Sequence, residues 1–310
     1  MKDKIKETLF KKDSNDTMNK TIIIAEIGEC FNGDLKRARK LIEIAKEAGC
    51  DIVKFQTLDY ENISDDDPER EWLKRIALNP NKIRYLVNCA KDIKINIFFT
   101  PVNIKTAKWI LNVGLSDIKI ASNSIMNTEL IKFINKHFNR VFISTGMASL
   151  VEIKEAVKNL NNVKELYIMH CISEYPTGPL LKKRGLRALD HKDVRLNMMS
   201  MLIKLFPQYK IGYSDHTAGI LAPVVAVALG ARVIEKHITL DKETPIKRYK
   251  TGRGYLGTDH ILSLEPEELK EMVKNIREVE KMIGKWKWER SEGENILKEF
   301  LRKRFTGNNT

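Results

Sequence analysis

Eight short apolar runs, each followed by a stretch of helical spacing, constrain this chain more than any other feature. They are "IIIAEI" (22–27), "DIVKFQ" (51–56), "INIFFT" (95–100), "DIKIAS" (117–122), "RVFIST" (140–145), "LYIMHC" (166–171), "YKIGYS" (209–214) and "RVIEKH" (232–237). Continuous apolar strands alternating with amphipathic helices are the pattern of a parallel sheet covered by helices, because crossover connections bury both faces of such strands. Eight such units predict a closed (β/α)8 barrel. A doubly wound open sheet is the alternative. It is disfavoured because the first strand ends in Glu26 rather than running into a Gly-rich GxGxxG turn.

The strand ends break the apolar pattern. They carry Glu26; Lys54 and Gln56; Thr100; Lys119 and Ser122; Ser144 and Thr145; His170 and Ser173; Ser214, Asp215 and His216; Glu235, Lys236 and His237. In a barrel all of these reach the mouth where the βα loops build a site. One polar strand end is ordinary barrel filling, whereas eight together predict a functional floor. His216 and His237, on neighbouring strands, suit a divalent metal with open positions. Lys54 and Lys119 lie inside apolar strands, where an unpaired ammonium is costly to bury, so a bound anion is the expected partner. Ser122, Ser144, Thr145 and Ser214 add hydroxyl donors, and together these describe a phosphate or phosphate-carboxylate pocket without a P-loop. Glu26 is either a general acid or base, or the structural partner of Lys54.

Composition narrows the class. The chain has 310 residues, 43% hydrophobic and 31% charged, with a formal net charge of +13. That is a folding, water-soluble composition. The excess charge is spread along helices such as "DLKRARKLIEIAKEAG", and no zinc-finger spacing or helix-turn-helix pattern accompanies it, so nucleic acid is not an expected partner. No apolar run is long enough to cross a bilayer, and the first twenty residues lack the apolar core of a signal peptide. The four cysteines form no CxxC pair, which argues against a disulfide framework. A cytoplasmic enzyme is the expectation.

Several ordered segments carry a more specific resemblance: "IIIAEIGECFNGDLKRARKLIEIAKEAGCDIVKFQT", "KIAS", "ISTGMASLVEI", "HCISEYPT", "IGYSDHTAGI", "ALGARVIEKHITLD" and "GTDHILSLEPEELKEMV". From about Ile22 to about Arg304 the chain resembles the sialic acid synthase family. That family condenses phosphoenolpyruvate with a sugar aldehyde, usually N-acetylmannosamine, to give a nine-carbon 2-keto-3-deoxy sugar acid and phosphate. The resemblance implies that Lys54, Lys119, Ser122, Ser144 and Ser214 hold phosphoenolpyruvate. It implies that His216 and His237 hold manganese or magnesium, that Glu26 is the catalytic carboxylate, and that Tyr175 and Asp259 contact the sugar. It also implies a homodimer.

The chain departs from the family at four places. Cys30 and Phe31 stand where the family shows an Asn-His pair. Ser124 stands where an acidic residue binds the sugar, and one hydroxyl does not replace a carboxylate that accepts two bonds. A basic insertion, 246–256, replaces a shorter loop, with Lys247, Arg248, Lys250 and Arg253 as candidate lid cations. The ending "SEGENILKEFLRKRFTGNNT" looks like the family's linker helix, without the antifreeze-like domain that follows it there. The expected organisation is a charged arm over 1–20, the barrel over 21–285 and a linker-like tail over 286–310. Because the changes touch sugar recognition, the expected acceptor is N-acetylmannosamine or a related hexose. The alternatives are a keto-deoxy sugar acid synthase using a phosphorylated acceptor, and a non-catalytic scaffold that binds phosphoenolpyruvate.

Overall fold

The computed structural model describes residues 20–67, 69–175, 183–185, 188–242, 258–284 and 287–306. Eight parallel strands close in sequence order into one barrel. They are β1 (Ile22–Glu26), β2 (Ile52–Thr57), β3 (Asn96–Pro101), β4 (Asp117–Ile120), β5 (Arg140–Ser144), β6 (Glu165–Cys171), β7 (Lys210–Asp215) and β8 (Val233–His237). Closure is made by β1 against β8, with Ile22 beside Val233 and Glu26 beside His237. The helices that connect the strands are α1 (Leu35–Glu47), α2 (Arg70–Ile76), α3 (Pro80–Ile93), α4 (Ile104–Asn112), α5 (Thr128–His137), α6 (Leu150–Lys158), α7 (Leu196–Leu205) and α8 (Leu221–Ala228). After β8 come α9 (Thr258–Leu262) and α10 (Pro266–Ile283). These elements belong to one compact unit, residues 20–282, except for Ile283, the last residue of α10. A second unit contains α11 (Glu292–Thr306), a basic amphipathic helix. The expected arm over 1–20 lies outside the described residues except for Lys20, as does the basic insertion.

The helices form where local chemistry dictates. Asp34 caps α1 by accepting from the amides of Lys36 and Arg37, and Ala38, Leu41, Ile42 and Ala45 form its buried stripe. The chain leaves α1 through Gly49 at φ +87°, a left-handed turn that side chains with a Cβ rarely adopt. Reciprocal capping boxes start α4, with Asn103 and Thr106, and α6, with Ser149 and Glu152. The acidic stretch after β2 folds into a 3-10 turn at Tyr60–Asn62 followed by α2.

The pleat divides each strand into two faces. Outward residues join the main core between sheet and helices, including Ile23, Ala25, Val53, Phe55, Ile118 and Ile234. Inward residues form a separate cluster of Ile24, Ile52, Phe98, Phe142, Tyr167, Met169 and Val233. Three rings stack across this interior: Phe98 on Phe142 at 4.9 Å, and Phe142 on Tyr167 at 4.6 Å. Gly212 makes room at the same level, since a Cβ there would lie 2.8 Å from the Val233 carbonyl. Below the rings Arg140 pairs with Asp117, and the Tyr167 hydroxyl donates to Glu165 at 2.7 Å. The barrel is therefore filled from its lower end up to the middle, as the layered packing of this architecture requires.

Candidate active site

Above the aromatic layer the inward positions turn polar, two residues further along each strand. Ile24 gives way to Glu26, Ile52 to Lys54, Phe98 to Thr100, Phe142 to Ser144, Gly212 to Ser214 and Val233 to Glu235. Period two thus carries each strand from core to site within one step.

Glu235 organises this layer. Its Oε2 lies 2.6 Å from Lys119 Nζ, its Oε1 lies 3.3 Å from Lys54 Nζ, and Ser214 Oγ donates to Oε1 at 3.2 Å. Lys54 Nζ also lies 2.9 Å from Glu26 Oε2 and donates to Thr100 Oγ1 at 3.1 Å. Gln56 donates to Glu26 Oε1 at 3.0 Å. The lysines are therefore not unpaired, as read from sequence. They share two carboxylates, and the four buried charges balance when both acids are ionised.

The acids differ in character. Burial pushes the Glu26 carboxyl up to about 7; Lys54 opposes the rise and the charge of Glu235 adds to it. Burial also opposes charge on Glu235, but Lys119 and Lys54 overcome it and hold that carboxyl far below its usual range. Burial lowers the Lys119 ammonium, partly restored by Glu235, whereas Lys54, equally buried, is raised by Glu235 and Glu26. One acid is fixed as an anion and the other is poised near neutrality, the division of labour expected of proton-transfer sites.

The imidazoles sit at the next level, with ring centroids 5.6 Å apart. His216 Nδ1 faces the Ile172 carbonyl at 2.9 Å, which leaves Nε2 toward the cavity, 3.2 Å from the Tyr175 hydroxyl. Nδ1 of His237 is buried without a hydrogen-bond partner, and Asp259 Oδ2 is 3.8 Å from it. Burial, aided by the nearby cations, lowers His237 to about 4. Burial acts the same way on His216, but Cys171 and the Ile172 carbonyl outweigh it and raise the ring to about 9. Among the described residues no three His, Cys, Asp or Glu stand close enough to hold a metal between them. An orphaned, buried nitrogen beside a second imidazole fits a metal held by two protein ligands with positions left open.

A cavity of about 330 Å³ lies over these groups, a size suited to two small substrates. Of the residues expected to hold the anion, Lys54, Lys119, Ser122, Ser144 and Ser214 all line it, and so do His216, His237 and Tyr175. Glu26, fully buried, and Asp259 stand behind the lining, on either side of Gly28. A Cβ on that glycine, at φ +48°, would meet Glu26 Oε1 at 2.9 Å, Asp259 Oδ2 at 3.2 Å and Gln56 Nε2 at 3.3 Å. Ser124 is not in the wall: its hydroxyl donates to Asn123 Oδ1 at 3.1 Å, and Asn123 faces the cavity instead.

Four of the strand-end residues read as floor point elsewhere. Asp215 and Lys236 pair on the outer face of the sheet, where Thr217 bonds both; His170 Nε2 meets the Val194 carbonyl at 2.8 Å beside α7; and Thr145 Oγ1, read as a hydroxyl donor of the pocket, donates to the Met169 carbonyl at 3.2 Å. The reason is the pleat: neighbours along a strand cannot share a face. The sequence reading in turn counted Glu235 among the strand ends without giving it a role, and passed over Gly146. The role of Glu235 could have been found from its place two residues before His237. Gly146 follows Ser144 at the same spacing; its amide donates to Ser122 Oγ at 3.1 Å, and a Cβ on it would lie 2.2 Å from Ser173 Oγ and 2.7 Å from Ser122 Oγ. That glycine lets the Ser122 and Ser173 hydroxyls, both in the cavity wall, pack against the backbone where a side chain would displace them.

Known proteins share this architecture and match the chain over most of its length. Residues 41–288 match the NeuB family. The N,N'-diacetyllegionaminic acid synthase of Campylobacter jejuni is 36% identical over 300 residues, which cover 90% of this chain and 83% of that one. Human N-acetylneuraminate-9-phosphate synthase is 34% identical over 281 residues, covering 84% of this chain and 71% of its own. The crystal structure of the N-acetylneuraminic acid (sialic acid) synthetase of Leptospira borgpetersenii, in complex with citrate, has a TM-score of 0.78 with this chain at 28% identity, covering 94% of each. On the extent of the family match and these identities, the chain belongs to the NeuB family, the sialic acid synthases.

Proposed function

We propose that this enzyme condenses phosphoenolpyruvate with an open-chain sugar aldehyde, giving a 2-keto-3-deoxy nonulosonic acid and inorganic phosphate. One observation carries the reading: two buried lysines, four serines and a pair of imidazoles line one small cavity. Relatives named as synthases of N-acetylneuraminate 9-phosphate, legionaminic acid and pseudaminic acid support the product class.

In this reading Lys54, Lys119, Ser122, Ser144 and Ser214 bind the carboxylate and phosphate of phosphoenolpyruvate. Glu235 holds the ammonium groups of Lys54 and Lys119 in place before the ligand arrives, so little reorganisation accompanies binding. His216 and His237 would hold a manganese or magnesium ion, which when bound would supply Lewis-acid polarisation of the aldehyde oxygen. Tyr175 and Asp259 contact the sugar. The alkene carbon of phosphoenolpyruvate attacks the aldehyde carbon, and positive charge develops at the carbon bearing the phosphate. Glu26, as the carboxylate, accepts a proton from the water that adds there. The alkoxide formed from the aldehyde takes up the proton that Glu26 accepted. The C–O bond to phosphate then breaks as the hydroxyl proton of the intermediate passes to the leaving phosphate, leaving the keto group, and the lysines stabilise the departing dianion.

The acceptor class is N-acetylmannosamine or a related hexose, and a homodimer in the cytoplasm is the proposed setting. All four cysteines are buried and unpaired, which fits a reducing compartment. Incubation with phosphoenolpyruvate, manganese and a panel of free and 6-phosphorylated hexoses and N-acylhexosamines tests the whole reading. Phosphate release with a matching nine-carbon product supports it. Turnover confined to phosphorylated acceptors selects the phosphorylated-substrate alternative, and tight phosphoenolpyruvate binding with no turnover selects the scaffold.

A further inference from the structure

On the outer face of the two strand ends that carry the imidazoles lies a second ion pair. Lys236 and Asp215 are both fully buried, and Lys236 Nζ lies 2.6 Å from Asp215 Oδ2. The same ammonium donates to the Thr217 carbonyl at 2.5 Å. Asp215 Oδ1 accepts from the Tyr213 hydroxyl at 2.6 Å and from the Thr217 amide at 3.0 Å, and Oδ2 accepts from Thr217 Oγ1 at 2.9 Å. Every bond of this network attaches to residues 213, 215 or 217, which alternate with Ser214 and His216. Lys236 itself immediately precedes His237.

The ladder shows why such a device is needed. Pairing of β7 with β8 ends at Asp215 opposite Lys236, so His216 lies one residue past the last strand partner. His237 is tied to the opposite side, paired with Glu26 on β1. Beyond the ladder, His216 depends on side chains and on the Leu189 amide, which donates to its carbonyl at 3.1 Å. Packing alone would be served as well by two apolar residues, since buried ion pairs seldom add net stability. Their advantage here is directional: they fix backbone on both sides of one imidazole.

We propose that Lys236 and Asp215 are positioning residues that set the spacing of His216 and His237 for a shared divalent ion; this rests on the reading of that pair as metal ligands. The pleat keeps both residues outside the cavity, so they act only through the imidazoles. Loss of a partner bonded directly to a metal-ligating imidazole lowers affinity by about 10- to 100-fold, and a contact that acts one step further out, through the backbone, is expected near the lower end of that range.

The test compares wild type with Lys236→Met, which strands a buried carboxylate, and with Asp215→Asn/Lys236→Met, which removes both charges. Manganese binding to the substrate-free protein is measured by paramagnetic resonance, cobalt binding by its visible absorption, and unfolding temperature in parallel. The expected result is a folded double variant with manganese affinity reduced by about 10-fold and an altered cobalt spectrum. A crystal structure of it would show the ring centroids displaced from 5.6 Å. Lower thermal stability with unchanged affinity and spectrum overturns the proposal. If wild type itself binds no manganese, the metal reading fails, and the ring spacing in the variant structure decides the clamp alone: unchanged spacing overturns it.

Discussion

Replacing Glu26 with Gln removes the one carboxyl that burial holds near neutrality, and the consequence is calculable. Its value rises from 4.5 to about 7 on folding, so the folded protein holds this proton more tightly than the unfolded chain. Stability from this group is fully present below pH 4.5 and is lost as pH climbs through about 7. At about 1.36 kcal/mol per pH unit the loss amounts to about 3 kcal/mol. A glutamine at position 26 stays neutral, so the stability difference between Glu26→Gln and wild type should shift in favour of the variant by about 3 kcal/mol between pH 4.5 and pH 8.5. Urea unfolding of both proteins across that range measures it. Catalysis moves the other way. Because the base form must be ionised, wild-type kcat/KM for phosphate release should rise with pH and level off above about 7. The variant should lose about 10²- to 10⁴-fold and lose that limb of the profile. A variant whose stability tracks wild type at every pH, or whose residual activity keeps the same limb, refutes the assignment of Glu26 as a poised acid.

Further outcomes follow from single contacts. Glu235→Ala leaves Lys119 and part of Lys54 without a partner and should destabilise the fold by about 3–5 kcal/mol, read from urea unfolding. Gly146→Ala places a methyl against Ser122 and Ser173 and should raise the KM for phosphoenolpyruvate far more than that for the sugar, read from initial rates. Tyr175→Phe removes the hydroxyl beside His216 Nε2 and should raise the acceptor KM while leaving phosphoenolpyruvate binding unchanged by calorimetry. Chelation of the divalent ion should abolish phosphate release, with recovery on adding manganese but not calcium, whose preference is for oxygen ligands.

The barrel was legible because its signal repeats: eight apolar runs, each bounded by polar residues, leave few other closures. Lys54, Lys119, Ser214 and His237 were legible for a related reason, as polar residues interrupting strands that otherwise bury both faces. What the runs do not display is direction. Asp215 and Lys236 look as catalytic on the page as His216 and Glu235, and only the pleat, counted from a residue of known orientation such as Ile24 or Phe98, separates them. The role of Glu235 escaped because a carboxylate between two lysines leaves no mark in sequence when its partners lie 116 and 181 residues away. Gly146 escaped because its contribution is the absence of a side chain. Ser124 was placed by resemblance, and the short turn after β4 brings Asn123 to the wall in its place.

The three stacked rings beneath the lysines have a consequence for traffic. Phe98, Phe142 and Tyr167 stopper the cylinder halfway, and the Arg140–Asp117 pair lies below them, so the vessel has a bottom. In the proposed reaction, water would have to come in through the same opening as the sugar, and phosphate would have to go out through it. Whatever closes over that opening therefore governs hydration, entry and exit together.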